Sequence, residues 1–382
     1  MALRSPLCKA KKGGFKDMAG EELLASFFEA IIPKLGVATE LVEDIVVGTV
    51  LPPGATYRAR AAMLSAGWPE TTGVQTINRF CSSGLMAVSS ISNAIRNDEI
   101  EVGLAVGFES MSAFPDRGAS EMSKDVLQHQ LAKDAAMPMG WTSENVAGDF
   151  KITRRRMDEL AALSYQRAEK AQKEGIFDAE IVPVQAYTKD ADGNKKSTLV
   201  TKDDGIRYGT TVESLLKIRP AFPQWAPAQT TGGNASQLTD GAAAVLMMKR
   251  SKAEALGLPI LAKHVATSTV GLSPRIMGIG PSVAIPKVLK RTGLKMEDID
   301  LFEVNEAFTS MYAYMVDIFG CPLEKTNVNG GATALGHPLG TTGARQVATG
   351  LNEIRRRKGK ILCTSMCIGT GMGAAAIFVA EY

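Results

Sequence analysis

Three residues combine a reactive side chain with an unusual neighbourhood. Cys81 stands where the apolar stretch beginning at Ile77 turns helical: Leu85, Val88, Ile91 and Ile95 recur at helical spacing, and Gly84, Ala87, Ser90 and Ala94 keep the other faces small. A buried helix is the expectation, with Cys81 at its N-terminus, where unpaired N–H groups and the helix dipole favour a thiolate over a thiol. The alternative is a buried free cysteine that only packs. His337 lies in the glycine-rich run Gly330-Gly-Ala-Thr-Ala-Leu-Gly-His-Pro-Leu-Gly340, where close approach of a ligand or of backbone is expected. Taken alone, it reads equally as a structural histidine. Cys367 opens Cys367-Ile-Gly-Thr-Gly-Met-Gly373 after the apolar strand Lys360–Ser365, at the end where open α/β sheets place ligands. A thiol with a reference pKa of about 8.5 can exchange protons near neutral pH.

The elements around these residues alternate helix and strand. An amphipathic helix is expected over Glu21–Leu35, with Leu24, Phe27, Phe28, Ile31 and Ile32 on one face and Pro33 marking its end. Buried strands are expected at Ile45–Val50 and Glu101–Gly107, and a helix at Arg58–Ala66 that leads through Val74–Ile77 to the Cys81 helix. This alternation predicts a mostly parallel sheet covered on both faces. A short internal repeat doubles it. Ala30-Ile-Ile-Pro-Lys34 and Glu43-Asp-Ile45 are echoed by Ala284-Ile-Pro-Lys287 and Glu297-Asp-Ile299. At the same offset Cys81 falls on Leu335, beside His337, so two duplicated halves would bring a nucleophile and a base together at equivalent helix starts. Between the halves, from about residue 113 to 237, charged helices such as Thr153–Lys173 alternate with irregular stretches and a hairpin turn at Asp190–Asn194. The expected division is 1–112 with 238–256, an inserted loop domain at 113–237, and 257–382.

Composition removes several classes. Charged residues make up 22% and the net charge is +3, too small to argue for nucleic acid or an anionic membrane, and no apolar run approaches the ~20 residues of a membrane helix. Cys8, Cys81, Cys321, Cys363 and Cys367 show neither disulfide nor zinc spacing, which points to a reducing compartment and no metal. Cys363 reads as core, and Cys8, Cys321, His129 and His264 have no motif around them. The basic runs Arg154–Arg156 and Arg355–Arg357 read as solvated helix faces.

Cys81-Ser-Ser-Gly-Leu85, Asn305-Glu-Ala-Phe308, the Gly330–Gly340 run and Cys367–Gly373, in this order, resemble the thiolases, and within them the 3-ketoacyl-CoA thiolases of peroxisomal type. The match runs from about Ser5 to the C-terminal strand. The resemblance implies a layered αβαβα fold of two halves and thiolytic cleavage of 3-oxoacyl-CoA through an acyl-Cys81 intermediate. It gives His337 the activation of Cys81 and a share in holding the enolate oxyanion, with a water held by Asn305. Cys367 would protonate the enolate and deprotonate incoming CoA. The N–H groups of Cys81 and Gly369 would form the second oxyanion site, and Glu306 would fix the loop. Arg219, Ser236 and Met139 match the family's contacts to CoA. The substrate is CoA itself, with acyl-CoA and acetyl-CoA as partners in a homodimer, and no cofactor is bound permanently. A biosynthetic, acetoacetyl-CoA-forming thiolase and an inactive lipid-binding isoform are the alternatives. Met1 falls almost on Arg4-Ser-Pro6, so the family's first strand is expected to be missing. The resemblance implies a peroxisome. With no targeting signal visible in the chain, the cytosol is the alternative.

Overall fold

The computed structural model describes all 382 residues. In chain order the first half contains β1 (Ala2–Arg4), β2 (Cys8–Lys9), α1 (Gly20–Ile31), β3 (Asp44–Gly48), α2 (Ala55–Ser65), β4 (Gly73–Ile77), α3 (Ser83–Arg96) and β5 (Val102–Ser110). The central segment follows with α4 (Gln130–Ala135), α5 (Met139–Asp149), α6 (Arg154–Lys173), the hairpin β6 (Val184–Lys189) and β7 (Lys195–Val200), and α7 (Val212–Leu216). The chain then returns through β8 (Thr239–Met248) and α8 (Arg250–Ala255). The last part holds β9 (Ala262–Gly271), α9 (Gly280–Thr292), β10 (Leu301–Val304), α10 (Thr309–Ala313), α11 (Ala332–Leu335), α12 (Thr342–Arg356), β11 (Ile361–Ile368) and β12 (Met372–Ala380).

Local chemistry accounts for the helix limits. At the start of α1, the Glu22 carboxylate accepts the Ala19 N–H at 3.1 Å, and the helix gives way at Ile32-Pro33-Lys34 to a 3-10 turn, where proline cannot continue the ladder. Thr153 caps α6 by accepting the Arg156 N–H at 3.2 Å.

Two sheets carry the fold. The first runs β1-β8-β5-β3-β4, with β2 also on β8; the second runs β10-β11-β12-β9. Four strands of the first, β3-β5-β8-β1, correspond in order to β10-β11-β12-β9 of the second, and β4 and β2 are additional. β3 on β5 and β10 on β11 are parallel, whereas β5 on β8, β8 on β1, β11 on β12 and β12 on β9 are antiparallel. The sheets are therefore mixed and not mostly parallel. The excursion through the central segment brings β8 back antiparallel beside β5, and the short turn after β11 does the same for β12. Both alternatives bury apolar faces equally, so hydropathy does not separate them.

The N-terminal strand is present, contrary to expectation. Ala2–Arg4 pairs antiparallel with Ala243–Val245, and the Leu246 N–H donates to the Met1 carbonyl. It is a short edge strand, ended before Ser5-Pro6.

Five layers result. α1 and α2 cover the outer face of the first sheet through Leu23, Phe27, Phe28, Ala59 and Met63. α9 covers the second through Ala284, Ile285 and Val288. α3 and α12 form the middle layer, where Leu85, Val88 and Ile91 meet Val347, Ala348 and Leu351 between the sheets. These two helices nearly touch: a methyl group on Gly343 would lie 2.3 Å from the Leu85 nitrogen, and one on Gly84 would lie 2.6 Å from the Gly340 carbonyl oxygen. The basic runs bind within the protein. Arg154 donates to Asp158 and to the carbonyls of Leu215 and Ile218, and Arg356 and Arg357 pair with Glu353.

Candidate active site

β4 ends at Ile77 and α3 begins at Ser83, so Cys81 lies in the turn between them. Phe80 takes φ +47° there, a conformation costing a bulky residue on the order of 1–3 kcal/mol. The turn is held in place by its own side chains. Asn78 accepts the Phe80 N–H at 2.9 Å, Ser83 accepts the Arg79 N–H at 2.9 Å and donates to the Phe80 carbonyl at 2.7 Å, and Ser82 donates to the Arg79 carbonyl. Across the site, Gly369-Thr370-Gly371 connects β11 to β12, with Thr370 at φ +71° and Gly371 at +90°. The N–H groups of Gly369 and of Cys81 itself are near enough to the Cys81 sulfur to favour its thiolate. The turn that follows Cys367 thus closes on the first thiol.

His337 is presented by the turn between α11 and α12. Gly336 precedes it at φ +102°, and a methyl group there would lie 2.1 Å from Thr239 Oγ1, so only glycine fits. The His337 N–H donates to the Gln237 carbonyl at 3.0 Å. Its Nδ1 lies 2.6 Å from Thr342 Oγ1, and its Nε2 lies 3.4 Å from Asn305 Nδ2. The amide nitrogen can only donate, so Nε2 is the acceptor and Nδ1 carries the proton to Thr342. Asn305 is fixed by its own N–H on the Ser365 carbonyl, and its buried Oδ1 has no partner within the protein. Glu306 secures the neighbouring loop, accepting from Ser164, Asn327 and the Thr333 N–H.

The electrostatics reverse one expectation. Burial pushes the Cys81 thiol up to about 11, against the N–H groups of Gly369 and Cys81 that pull it down, and Glu109 adds to the rise. The helix-terminus effect, worth about 0.3–1 kcal/mol at exposed sites, is smaller than the desolvation of a buried thiolate. Burial likewise holds His337 down to about 3, with the Arg345 guanidinium contributing. The resting pair is therefore neutral. Burial raises the Cys367 thiol further, and Cys81 adds to that rise, which puts the two sulfurs within electrostatic reach of each other.

Comparison with known proteins identifies the family. The family descriptions "Thiolase, N-terminal domain" and "Thiolase, C-terminal domain" match residues 1–251 and 258–380. The chain belongs to the thiolase family. Among thiolases, the human peroxisomal 3-ketoacyl-CoA thiolase is 50% identical over 378 residues, covering 98% of this chain and 88% of the relative. The crystal structure of the dimeric peroxisomal thiolase of Saccharomyces cerevisiae superposes with a TM-score of 0.91 at 47% identity, over 100% of this chain and 96% of that one. Human mitochondrial 3-ketoacyl-CoA thiolase in complex with CoA gives 0.88 at 36% identity, over 100% and 96%.

The residues expected to meet CoA are placed differently in this thiolase. Met139 opens α5, and its sulfur would lie 3.6 Å from a methyl group on Gly369, with the Phe80 ring at 3.8 Å. Ser236 donates its N–H to the Ala307 carbonyl, beside the Asn305 loop and one residue before the carbonyl that holds His337. Arg219 is exposed. Its segment is clamped to α5 by Trp225 stacked on Trp141, ring centroids 4.3 Å apart. A cavity of about 820 Å³ lies elsewhere, along β8 and β9 between Met1, Ile95, Leu258 and Phe378, and contains none of these residues. Sequence reasoning missed Thr342, which holds Nδ1 of His337, and Glu109. The one signal for Glu109 was a carboxylate at the end of an otherwise apolar strand.

Proposed function

We propose that this chain is a 3-ketoacyl-CoA thiolase of fatty acid β-oxidation, using CoA to cleave 3-oxoacyl-CoA into acetyl-CoA and an acyl-CoA two carbons shorter. The observation that carries this reading is that the turn after Cys367 lies against Cys81, while the turn after His337 packs on the start of α3 through Gly340 and Gly84. Nε2 of His337 takes the Cys81 proton as the sulfur attacks the C3 carbonyl. The C2–C3 bond breaks, leaving an acyl group on Cys81 and the enolate of acetyl-CoA, whose C2 takes the Cys367 proton. The enolate oxygen is held by His337, now a donor, together with a water on Asn305. Incoming CoA gives its thiol proton to the Cys367 thiolate and attacks the acyl carbon, and Cys81 leaves, taking its proton back from His337. The N–H groups of Cys81 and Gly369, which lie near the sulfur, serve the thioester oxygen. A neutral resting pair suits this sequence, because the ions form only when substrate is present.

CoA would extend from Met139 and Ser236 outward to Arg219 and is a substrate, with no permanent cofactor. A homodimer is supported by the dimeric yeast thiolase and by β4, which pairs only with β3 and leaves its other edge free. The division into 1–112 with 238–256, 113–237 and 257–382 is supported by the first sheet drawing strands from both sides of the central segment. The peroxisomal relatives support a peroxisomal place of action.

Mass spectrometry of the protein with 3-oxoacyl-CoA and no CoA tests the reading. An acyl adduct on Cys81 and release of acetyl-CoA are expected, and release without the adduct would refute it. In Cys367→Ala, turnover is expected to fall by about 10²–10⁴-fold, the usual worth of a general acid–base.

A further inference from the structure

Glu109, at the end of β5, is fully buried and has no cationic partner. Its Oε1 accepts the Leu51 N–H at 3.0 Å and the Thr49 hydroxyl at 3.4 Å. Its Oε2 accepts the Val50 N–H at 3.1 Å and the Gly340 N–H at 2.9 Å. Three of these donors belong to the first half of the molecule. The fourth belongs to the turn after His337. We propose that Glu109 is a positioning residue for the Cys81–His337 pair, whose ionised carboxylate fixes the His337 turn of one half against the end of β3 in the other.

The donor set selects the ionised form. Three backbone N–H groups can only donate, and a carboxylate only accepts, whereas a carboxylic acid would aim its own proton at one of them or at Thr49. The bonds also outweigh much of the cost of burial, which pushes this carboxyl up to about 7, so the group is charged in mildly alkaline solution. The turn it grips has little freedom. A methyl group on Gly340 would lie 2.6 Å from the Thr49 Cα and 3.0 Å from Glu109 Oε2, and one on Gly107 would lie 2.8 Å from the Gly340 carbonyl oxygen. Thr341 donates to the Gly241 carbonyl at 2.8 Å, opposite Glu109 in the sheet. Next comes Thr342, whose hydroxyl holds Nδ1 of His337. The path from carboxylate to imidazole therefore runs from Glu109 on β5 through Gly340 and Thr342 to His337, the last three lying close together in the chain. A charge without a counter-ion also opposes the Cys81 thiolate.

Glu109→Gln keeps the shape, removes the charge and turns an NH2 group toward N–H donors. At pH 8, kcat is expected to fall by about 10- to 100-fold with KM for 3-oxoacyl-CoA within about threefold, the pattern of a misplaced catalytic group. The chain has only three histidines, so ring resonances can be followed in protein labelled at histidine. Those of His337 should move, while those of His264, bonded to Ser92 and Thr267, should not. Wild-type kcat, an unmoved His337, or His264 moving along with it would overturn the proposal, the last because it marks general loosening. Should the Gln variant not fold, the same measurements on Glu109→Asp decide, since its shorter stem keeps the charge but cannot span both sets of donors; wild-type kcat there would overturn the proposal as well.

Discussion

At the scale of single residues, the site depends on a thiol that is kept protonated until it is needed. Cys81 is 9% exposed, against 0–2% for Cys8, Cys321, Cys363 and Cys367, so iodoacetamide should label it first and 3-oxoacyl-CoA should protect it. Because the thiol is held up to about 11 and His337 down to about 3, the labelling rate should keep climbing from pH 7 to pH 10. A plateau reached by pH 7 would mean that a thiolate–imidazolium pair exists at rest. The cysteine and the histidine were legible from their motifs. Their protonation state was not, because it is the sum of what surrounds them after folding.

At the scale of elements, the contact of α3 with α12 determines how closely Cys81 and His337 can approach. Alanine favours a helix over glycine by ~1 kcal/mol, yet Gly343→Ala should destabilise the protein by about 1–3 kcal/mol, since its methyl group would overlap the Leu85 backbone. Gly271→Ala, where a methyl group meets nothing within 4 Å, should leave the urea midpoint nearly unchanged. Equal midpoints for the two variants would show that the helices can part at little cost. Helical spacing announced α3, and the internal repeat implied a second helix start beside His337, but a glycine facing another backbone looks in sequence like any other glycine.

For the whole molecule, two buried polar groups test how the parts are joined. Arg4 on β1 bonds Glu180 at 2.5 Å and Asp203 at 2.7 and 2.9 Å, and Glu180 also accepts from Thr349 on α12. Arg4→Ala leaves two buried carboxylates without their cation and should cost about 3–5 kcal/mol in urea denaturation; a loss below about 1 kcal/mol would show that these acids are protonated or reach water. His264 is held neutral, down to about 3 by burial and then by Arg96 and Arg291. The unfolded chain binds that proton more readily, so the contribution of His264 is intact above pH ~6.5 and is lost as pH falls toward 3. Glu109 and Glu303, raised to about 7, act in the opposite sense between their unfolded values and 7, and mute the wild-type curve. His264→Gln should therefore lose less thermal stability than wild type between pH 7 and pH 4. An identical loss would refute the assignment.

The sequence by itself determined what depends on near neighbours. The apolar faces of α1 and α3, the stop at Pro33, the glycine turns before His337 and after Cys367, and the ordered motifs that mark a thiolase are all written in consecutive residues. Tertiary structure alone decided the antiparallel return of β8, the pairing of Ala2–Arg4 on its edge, the upward shift of Cys81 and the convergence of Glu109 on Gly340. Each of these joins segments far apart in the chain. Strand direction, desolvation and the sharing of one carboxylate between two halves are properties of the packed whole, and no local pattern of side chains encodes them.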